Sequence, residues 1–228
     1  MRHEDEREPP YRYPDYVSTR LRAPSNALVR LPDGFHDFPA PLFPRPIGAL
    51  DHDLTGRHQG EPIGERIIVT GRVLDSDGRP VREAVVEVWQ ANAAGRYLDQ
   101  NDQHPAPIDP NFSGAGRCVT DAEGRYRFLT IKPGAYPYKN HHNAWRPAHI
   151  HFSLFGTHFR SRLVTQMYFP GDPLMPRDAI LQSIPDQAGR ARLIAQFDPE
   201  ITEPEWALAY RWDIVLRGRS ATPFEDGA

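Results

Sequence analysis

The sequence predicts a mainly β protein: an antiparallel β-sandwich core, an irregular proline-rich N-terminal arm and one short helix. Three observations carry this. There are 24 prolines against 17 glycines, a balance hostile to long helices. Short runs rich in β-branched and aromatic residues recur between turn signals, and no βαβ alternation separates them. A length of 228 residues suits one sizeable domain with an extension.

Residues 1–62 read as an arm. The segments PPYRYP at 9–14 and FPAPLFPRP at 38–46 cannot continue a helix or a central strand. Their Tyr, Phe and Leu content is too apolar for a solvated tail, so the arm is expected to pack on its own domain or on a partner chain. Residues 63–228 are expected to form the β-sandwich domain. Within them, 66–74 (RIIVTGRVL) and 84–90 (AVVEVWQ) are strands on either side of the turn DSDGRP at 75–80. A second turn, DAEG at 121–124, leads into a strand over 126–131, and 148–155, 163–169 and 208–216 bring the strands to at least six. Only 188–197 (AGRARLIAQF), following Pro185, has a helical pattern. There is no internal repeat.

Composition excludes several classes. A formal charge of −3 with mixed signs offers no basic patch for nucleic acid. No apolar run approaches the roughly 20 residues that span a bilayer, and the charged start MRHEDERE lacks the apolar core of a secretory signal. Cys118 is the sole cysteine; with no internal disulfide to form, the expectation is a cytoplasmic globular protein.

The segment AHIHFSLF at 148–155 carries the chemistry. In a strand, alternate side chains share a face. Ala148, Ile150, Phe152 and Leu154 then make an apolar face, and His149 and His151 point together from the other, roughly 6–7 Å apart at Cα. Two imidazoles so placed can converge on one metal, although two surface histidines would give the same pattern. Pro147 biases Arg146 toward an extended conformation at the edge of the pair. Tyr136 lies in the turn GAYPY at 134–138, and Tyr97 in GRY at 95–97; tyrosines at such turns also serve simply as packing aromatics. No Cys, Asp or Glu lies within a few residues of the histidines, so a metal there draws its anionic ligands from further away.

The motifs GRY (95–97), DPNF (109–112), GRCVTD (116–121), IKPG (131–134), WRPAHIHF (145–152), TQMYF (165–169) and YRWDIVLRG (210–218), in this order and spacing, resemble the intradiol ring-cleaving dioxygenases over most of residues 60–220. Within that family the nearest likeness is to the iron-bearing beta chains of members built from two kinds of chain. The resemblance implies one non-haem Fe(III) per chain, held by Tyr97, Tyr136, His149 and His151. It implies that Arg146 and Gln166 line the substrate and oxygen side, with Arg146 stabilising negative charge on the ring, and that Tyr136 releases the metal as substrate binds. Tyr138, Lys139 and Ile180 become substrate contacts; Tyr13 either reaches the pocket or packs the arm. The implied reaction is cleavage of a small aromatic diol by O2, for protocatechuate (3,4-dihydroxybenzoate) giving 3-carboxy-cis,cis-muconate in aromatic catabolism. The implied partner is a homologous alpha chain that lacks the iron ligands, in a hetero-oligomer.

The residue types make physical sense of that reading. Two phenolates and two neutral imidazoles suit Fe(III) better than Zn(II), Cu(I) or Mg(II), and two tyrosinates with one hydroxide neutralise a trivalent ion in a low-dielectric pocket. The chain departs from its nearest relatives at Tyr138, where tryptophan is expected, and at Lys139, where arginine is expected. Lys139 keeps a charge that could pair with a substrate carboxylate, which favours protocatechuate over catechol. His141 and His142 read as solvent-exposed and His104 as a loop histidine, while Trp89 reads as core or as a residue behind the ligands. Two other functions remain to be separated. A catechol or hydroxyquinol dioxygenase carries a longer helical N-terminal segment, unlike the proline-rich start here. A non-catalytic β-sandwich binding module predicts no metal and no colour.

Overall fold

The computed structural model describes residues 8–17, 19–23, 25–26, 48, 51–138, 144–156 and 159–224. In chain order the strands are β1 (Arg66–Leu74), β2 (Val85–Trp89), β3 (Ala115–Val119), β4 (Arg125–Ile131), β5 (Tyr136–Pro137), β6 (Trp145–Arg146), β7 (His149–Gly156), β8 (Phe159–Tyr168), β9 (Gln196–Phe197), β10 (Leu208–Arg211) and β11 (Ile214–Val215). The helices are single turns or little more: α1 (Thr19–Arg22), α2 (Ala179–Gln182) and α3 (Gln187–Arg192), with a 3-10 turn at Met175–Arg177. None of the described helices is long and apolar enough to cross a membrane.

Two sheets enclose the core, as the mainly β reading requires. One is antiparallel throughout, in the order β3-β2-β7-β8. The other runs β11-β1-β10-β9 with β4 also on β1; β1 is antiparallel to β4 but parallel to β10 and β11. Alternation selects which side chains face inward. Ile67, Val69 and Val73 of β1 and Phe128 of β4 meet Val86 and Val88 of β2 and Ile150, Phe152 and Leu154 of β7, all buried in one cluster. Ile68, on the opposite face of β1, joins Leu129, Ala207 and Ala209 in a smaller cluster.

The helix expected over 188–197 is shorter and starts earlier. Asp186 caps α3 by accepting from the backbone N–H of Ala188 at 3.0 Å and of Gly189 at 2.9 Å. Beyond Arg192 tertiary pairing overrides helical pattern: the Trp212 indole donates to the Arg192 carbonyl at 2.8 Å, and Ala195 N–H pairs with the Tyr168 carbonyl at 2.9 Å. The strand expected over 208–216 is split for a similar reason, because Trp212 turns inward and Asp213 accepts from Arg72 N–H at 2.8 Å. The last residues before position 62 pack on the chain's own domain: Leu54 is fully buried in the core, and Asp53 bridges to Leu129.

Candidate active site

Strand β7 is covered on both sides. His149 and His151 are 1% and 7% exposed, so they are not the surface pair that the alternation alone allowed. Their rings stand edge to face, 4.9 Å between centroids. Each meets one of the two tyrosines singled out by sequence: Tyr97 Oη lies 3.2 Å from His151 Nε2, and Tyr136 Oη lies 3.2 Å from His149 Nε2. The tyrosine rings also face each other edge-on, 5.4 Å apart. Trp89 stacks flat on His151 at 4.7 Å and 4°.

Two glycines let the tyrosine turns come together. A Cβ on Gly95, whose φ is +77°, would sit 2.3 Å from the Ala135 carbonyl oxygen, and one on Gly134 would sit 2.4 Å from that of Ala93. The Asn92 carbonyl accepts from both Gly95 and Gly134 N–H, at 3.0 and 2.9 Å. Tyr97 N–H is held by the Asp102 carboxylate at 2.8 Å.

Behind Tyr136 and His149 lies a buried polar network. Arg146, 3% exposed, extends its Nη1 to His149 Nε2 at 2.9 Å and Tyr136 Oη at 3.3 Å. Its Nη2 donates to Gln166 Oε1 and, at 3.0 Å, to Tyr168 Oη. Tyr168 O–H lies 2.9 Å from Gln166 Oε1. With its oxygen turned to Arg146, Gln166 leaves Nε2 buried and without a partner among the described residues.

The electrostatics prepare ligands rather than charges. Burial, then Arg146 and His151, hold His149 well below the usual imidazole range. The Pro147 carbonyl can only accept, so its 2.7 Å contact puts the proton on His149 Nδ1 and the lone pair on Nε2. Burial pushes the Tyr136 phenol up, against the lowering effect of Arg146; such a phenol ionises at neutral pH only beside a strong cation. Burial works against the Arg146 charge, but Asp178 and the two phenols outweigh it and raise its pKa well above the ordinary value. Among the described residues no group of three His, Cys, Asp or Glu side chains is placed to hold a metal ion. Two imidazoles and two phenols are nonetheless a donor set that fits a hard trivalent ion such as Fe(III).

A family profile described as "Dioxygenase" matches residues 39–218, and one for the N terminus of the protocatechuate 3,4-dioxygenase beta subunit matches residues 4–33. This chain belongs to the intradiol dioxygenase family. It is 62% identical to the protocatechuate 3,4-dioxygenase beta chain of Burkholderia cepacia over 220 residues, 95% of this chain and 93% of that one. It is 33% identical to the alpha chain of the Pseudomonas putida enzyme, over 72% of this chain and 77% of that one. The solved 3-chlorocatechol 1,2-dioxygenase of Rhodococcus opacus 1CP matches 76% of this dioxygenase and 68% of its own chain, at 25% identity and a TM-score of 0.58.

Other expected site residues are distributed around this dioxygenase's centre. Tyr138 and Ile180 line an adjoining cavity with Trp145, Arg146, Arg177 and Asp178. Tyr13 lies in the N-terminal segment, where its backbone N–H and carbonyl both bond the Thr19 hydroxyl at 3.0 Å. Among the described residues of that segment Tyr16 meets the pocket wall, its hydroxyl 3.3 Å from that of Tyr138. His104 stands edge-on to Trp145 at 6.2 Å, with a buried Nδ1 lacking a hydrogen-bond partner among the described residues. Lys139, His141 and His142 fall outside the described residues. Sequence reasoning missed Tyr168, Asp178 and Tyr16. Tyr168 lies two residues from Gln166 in TQMYF, and that spacing on one strand face was the available signal.

Proposed function

We propose that this chain is the catalytic beta chain of a protocatechuate 3,4-dioxygenase, which uses O2 to cleave 3,4-dihydroxybenzoate between its hydroxylated carbons. The product is 3-carboxy-cis,cis-muconate, in the β-ketoadipate route of aromatic catabolism. The convergence of Tyr97, Tyr136, His149 and His151 on one another carries the reaction class; the likeness to the Burkholderia cepacia chain supports the substrate.

A ferric ion held by Tyr97, Tyr136, His149 and His151, one per chain, would supply Lewis acidity toward a catecholate and a route for electrons from it to dioxygen. The protein's residues do the rest. Tyr136, as phenolate, takes a proton from one substrate hydroxyl, and Arg146 Nη1, 3.3 Å away, steadies the resulting phenol. The same guanidinium opposes negative charge developing on the ring, an electrostatic effect from a group already fixed in place. Gln166 Nε2 donates a hydrogen bond on the oxygen side. Tyr138 and Ile180 flank the ring and exclude water, Tyr13 closes the approach from the N-terminal segment, and Lys139 pairs with the substrate carboxylate. Residues 1–62 serve as an arm that wraps a homologous alpha chain, residues 63–228 as the catalytic domain, and the assembly works in the cytoplasm.

The test is spectroscopic and kinetic. Chain produced with an alpha chain and loaded with ferric ion should be red-brown from tyrosinate-to-iron charge transfer. It should consume O2 faster with protocatechuate than with catechol or hydroxyquinol. Protein that stays colourless and iron-free under these conditions would sink the reading, and a preference for catechol would overturn the substrate.

A further inference from the structure

Arg146 has two edges. Its Nη1 turns toward Tyr136 and His149, while its Nε and Nη2 are clasped by Asp178, at 3.2 Å to Oδ1 and 3.0 Å to Oδ2. This two-point grip fixes the plane of the guanidinium as well as its position. Asp178 is 2% exposed, and Tyr168 O–H donates to its Oδ2 at 2.8 Å. The same residue begins α2, where its Oδ1 accepts from Ile180 N–H at 3.3 Å. One carboxylate therefore joins the cation of the site to the short helix that carries Ile180 into the cavity wall.

We propose that Asp178 is the positioning residue of this site: its carboxylate holds Arg146 with Nη1 facing the substrate ring. The proposal rests on the reading of Arg146 as the group that stabilises charge on that ring. The other acceptors beside it, Gln166 Oε1 and Tyr168 Oη, hold Nη2 alone, so without the carboxylate nothing grips Nε and the guanidinium plane is free to turn Nη1 away from Tyr136. The charge balance points the same way: the buried guanidinium and carboxylate cancel each other, so Asp178 keeps Arg146 cationic without adding net charge to the pocket.

Two variants separate the grip from the helix cap, tested on the ferric holoenzyme with its alpha chain. Asparagine caps a helix as well as aspartate, so Asp178→Asn keeps α2 and the Ile180 wall and loses only the charged clasp. Its kcat should fall on the order of 10–100-fold, with KM changed by less than about threefold and the ferric-tyrosinate absorption retained. Asp178→Ala loses the cap as well and should raise KM in addition. In an Arg146→Gln background, Asp178→Asn should change kcat by less than about twofold, because it acts through a group already absent. An equal loss in both backgrounds would mean a merely structural role and overturn the proposal. Should the Asn variant not fold, Asp178→Glu keeps the charge and lengthens its tether; lowered kcat with unchanged KM supports the proposal, and wild-type kcat overturns it. Full rate in Asp178→Asn with loss in Arg146→Gln overturns the positioning role alone. Full rate in Arg146→Gln itself overturns the reading of Arg146.

Discussion

The two faces of strand β7 are both buried at the centre of the strand and filled there by opposite chemistries. On one, Phe152 packs against Trp212, Tyr126 and Phe128, with ring centroids 4.9, 5.7 and 6.2 Å away. On the other, His149, His151 and Ser153 lie against the phenols of Tyr136 and Tyr97 and the guanidinium groups of Arg146 and Arg162. The apolar face gains stability from area removed from water. The polar face gains little net stability, since its hydrogen bonds replace those to water, but it fixes lone pairs and donors in place. The difference separates what keeps the protein folded from what lets it react.

Substitutions on the two faces should therefore fail in different assays. The largest effect is expected on the polar side. His149→Ala or His151→Ala removes one of the proposed ferric ligands and should weaken ferric binding beyond the roughly 10–100-fold that loss of a residue behind the ligands costs; metal content and the visible band measure this. On the apolar side, Phe152→Ala should lower unfolding free energy by about 3–5 kcal/mol, read by denaturant titration, while the folded fraction keeps its colour. A bleached but fully stable Phe152→Ala protein would break the division between the faces. Trp89→Leu probes the boundary: losing the stack on His151 costs about 0.5–1.5 kcal/mol, so ferric binding should weaken by up to about tenfold.

An effect confined to alkaline pH belongs to Cys118 on β3, in the same sheet. Burial pushes its thiol from 9.0 up to about 12. The folded state therefore keeps a proton that the unfolded chain gives up, and stability attributable to this group is full below pH 9 and falls as pH rises from 9 toward 12. Cys118→Ala should lose less stability over that interval than the parent chain, compared by denaturant midpoints. Slow alkylation of the native thiol at neutral pH is the matching chemical readout.

The apolar face was legible in the sequence, and so was the histidine pair, because both follow from a period of two. β1 was found with its observed bounds, since Arg66–Leu74 is dense in Ile and Val between turn residues. β3, AGRCV, was missed because Gly116 and Arg117 dilute the strand signal and its partner β2 supplies the pairing. Tyr97 and Tyr136 were singled out by family likeness; nothing local says that two turns 39 residues apart meet through Gly95 and Gly134. Asp178 was invisible for a related reason. An aspartate before a short helix reads as an ordinary cap, and only the tertiary fold sets Arg146 against it.

The parallel pairing of β1 with β10 and β11 has a consequence in time. Ile67 lies beside Leu208, and Arg72 donates to Asp213 across 141 residues of sequence. A strand that needs such a distant neighbour cannot finish its sheet until that neighbour has been made. Until residues 208–215 emerge from the ribosome, β1 keeps one edge open to any other extended segment. A newly made chain thus carries an exposed β1 edge until residues 208–215 appear, and a chain truncated before Leu208 should be insoluble rather than merely inactive.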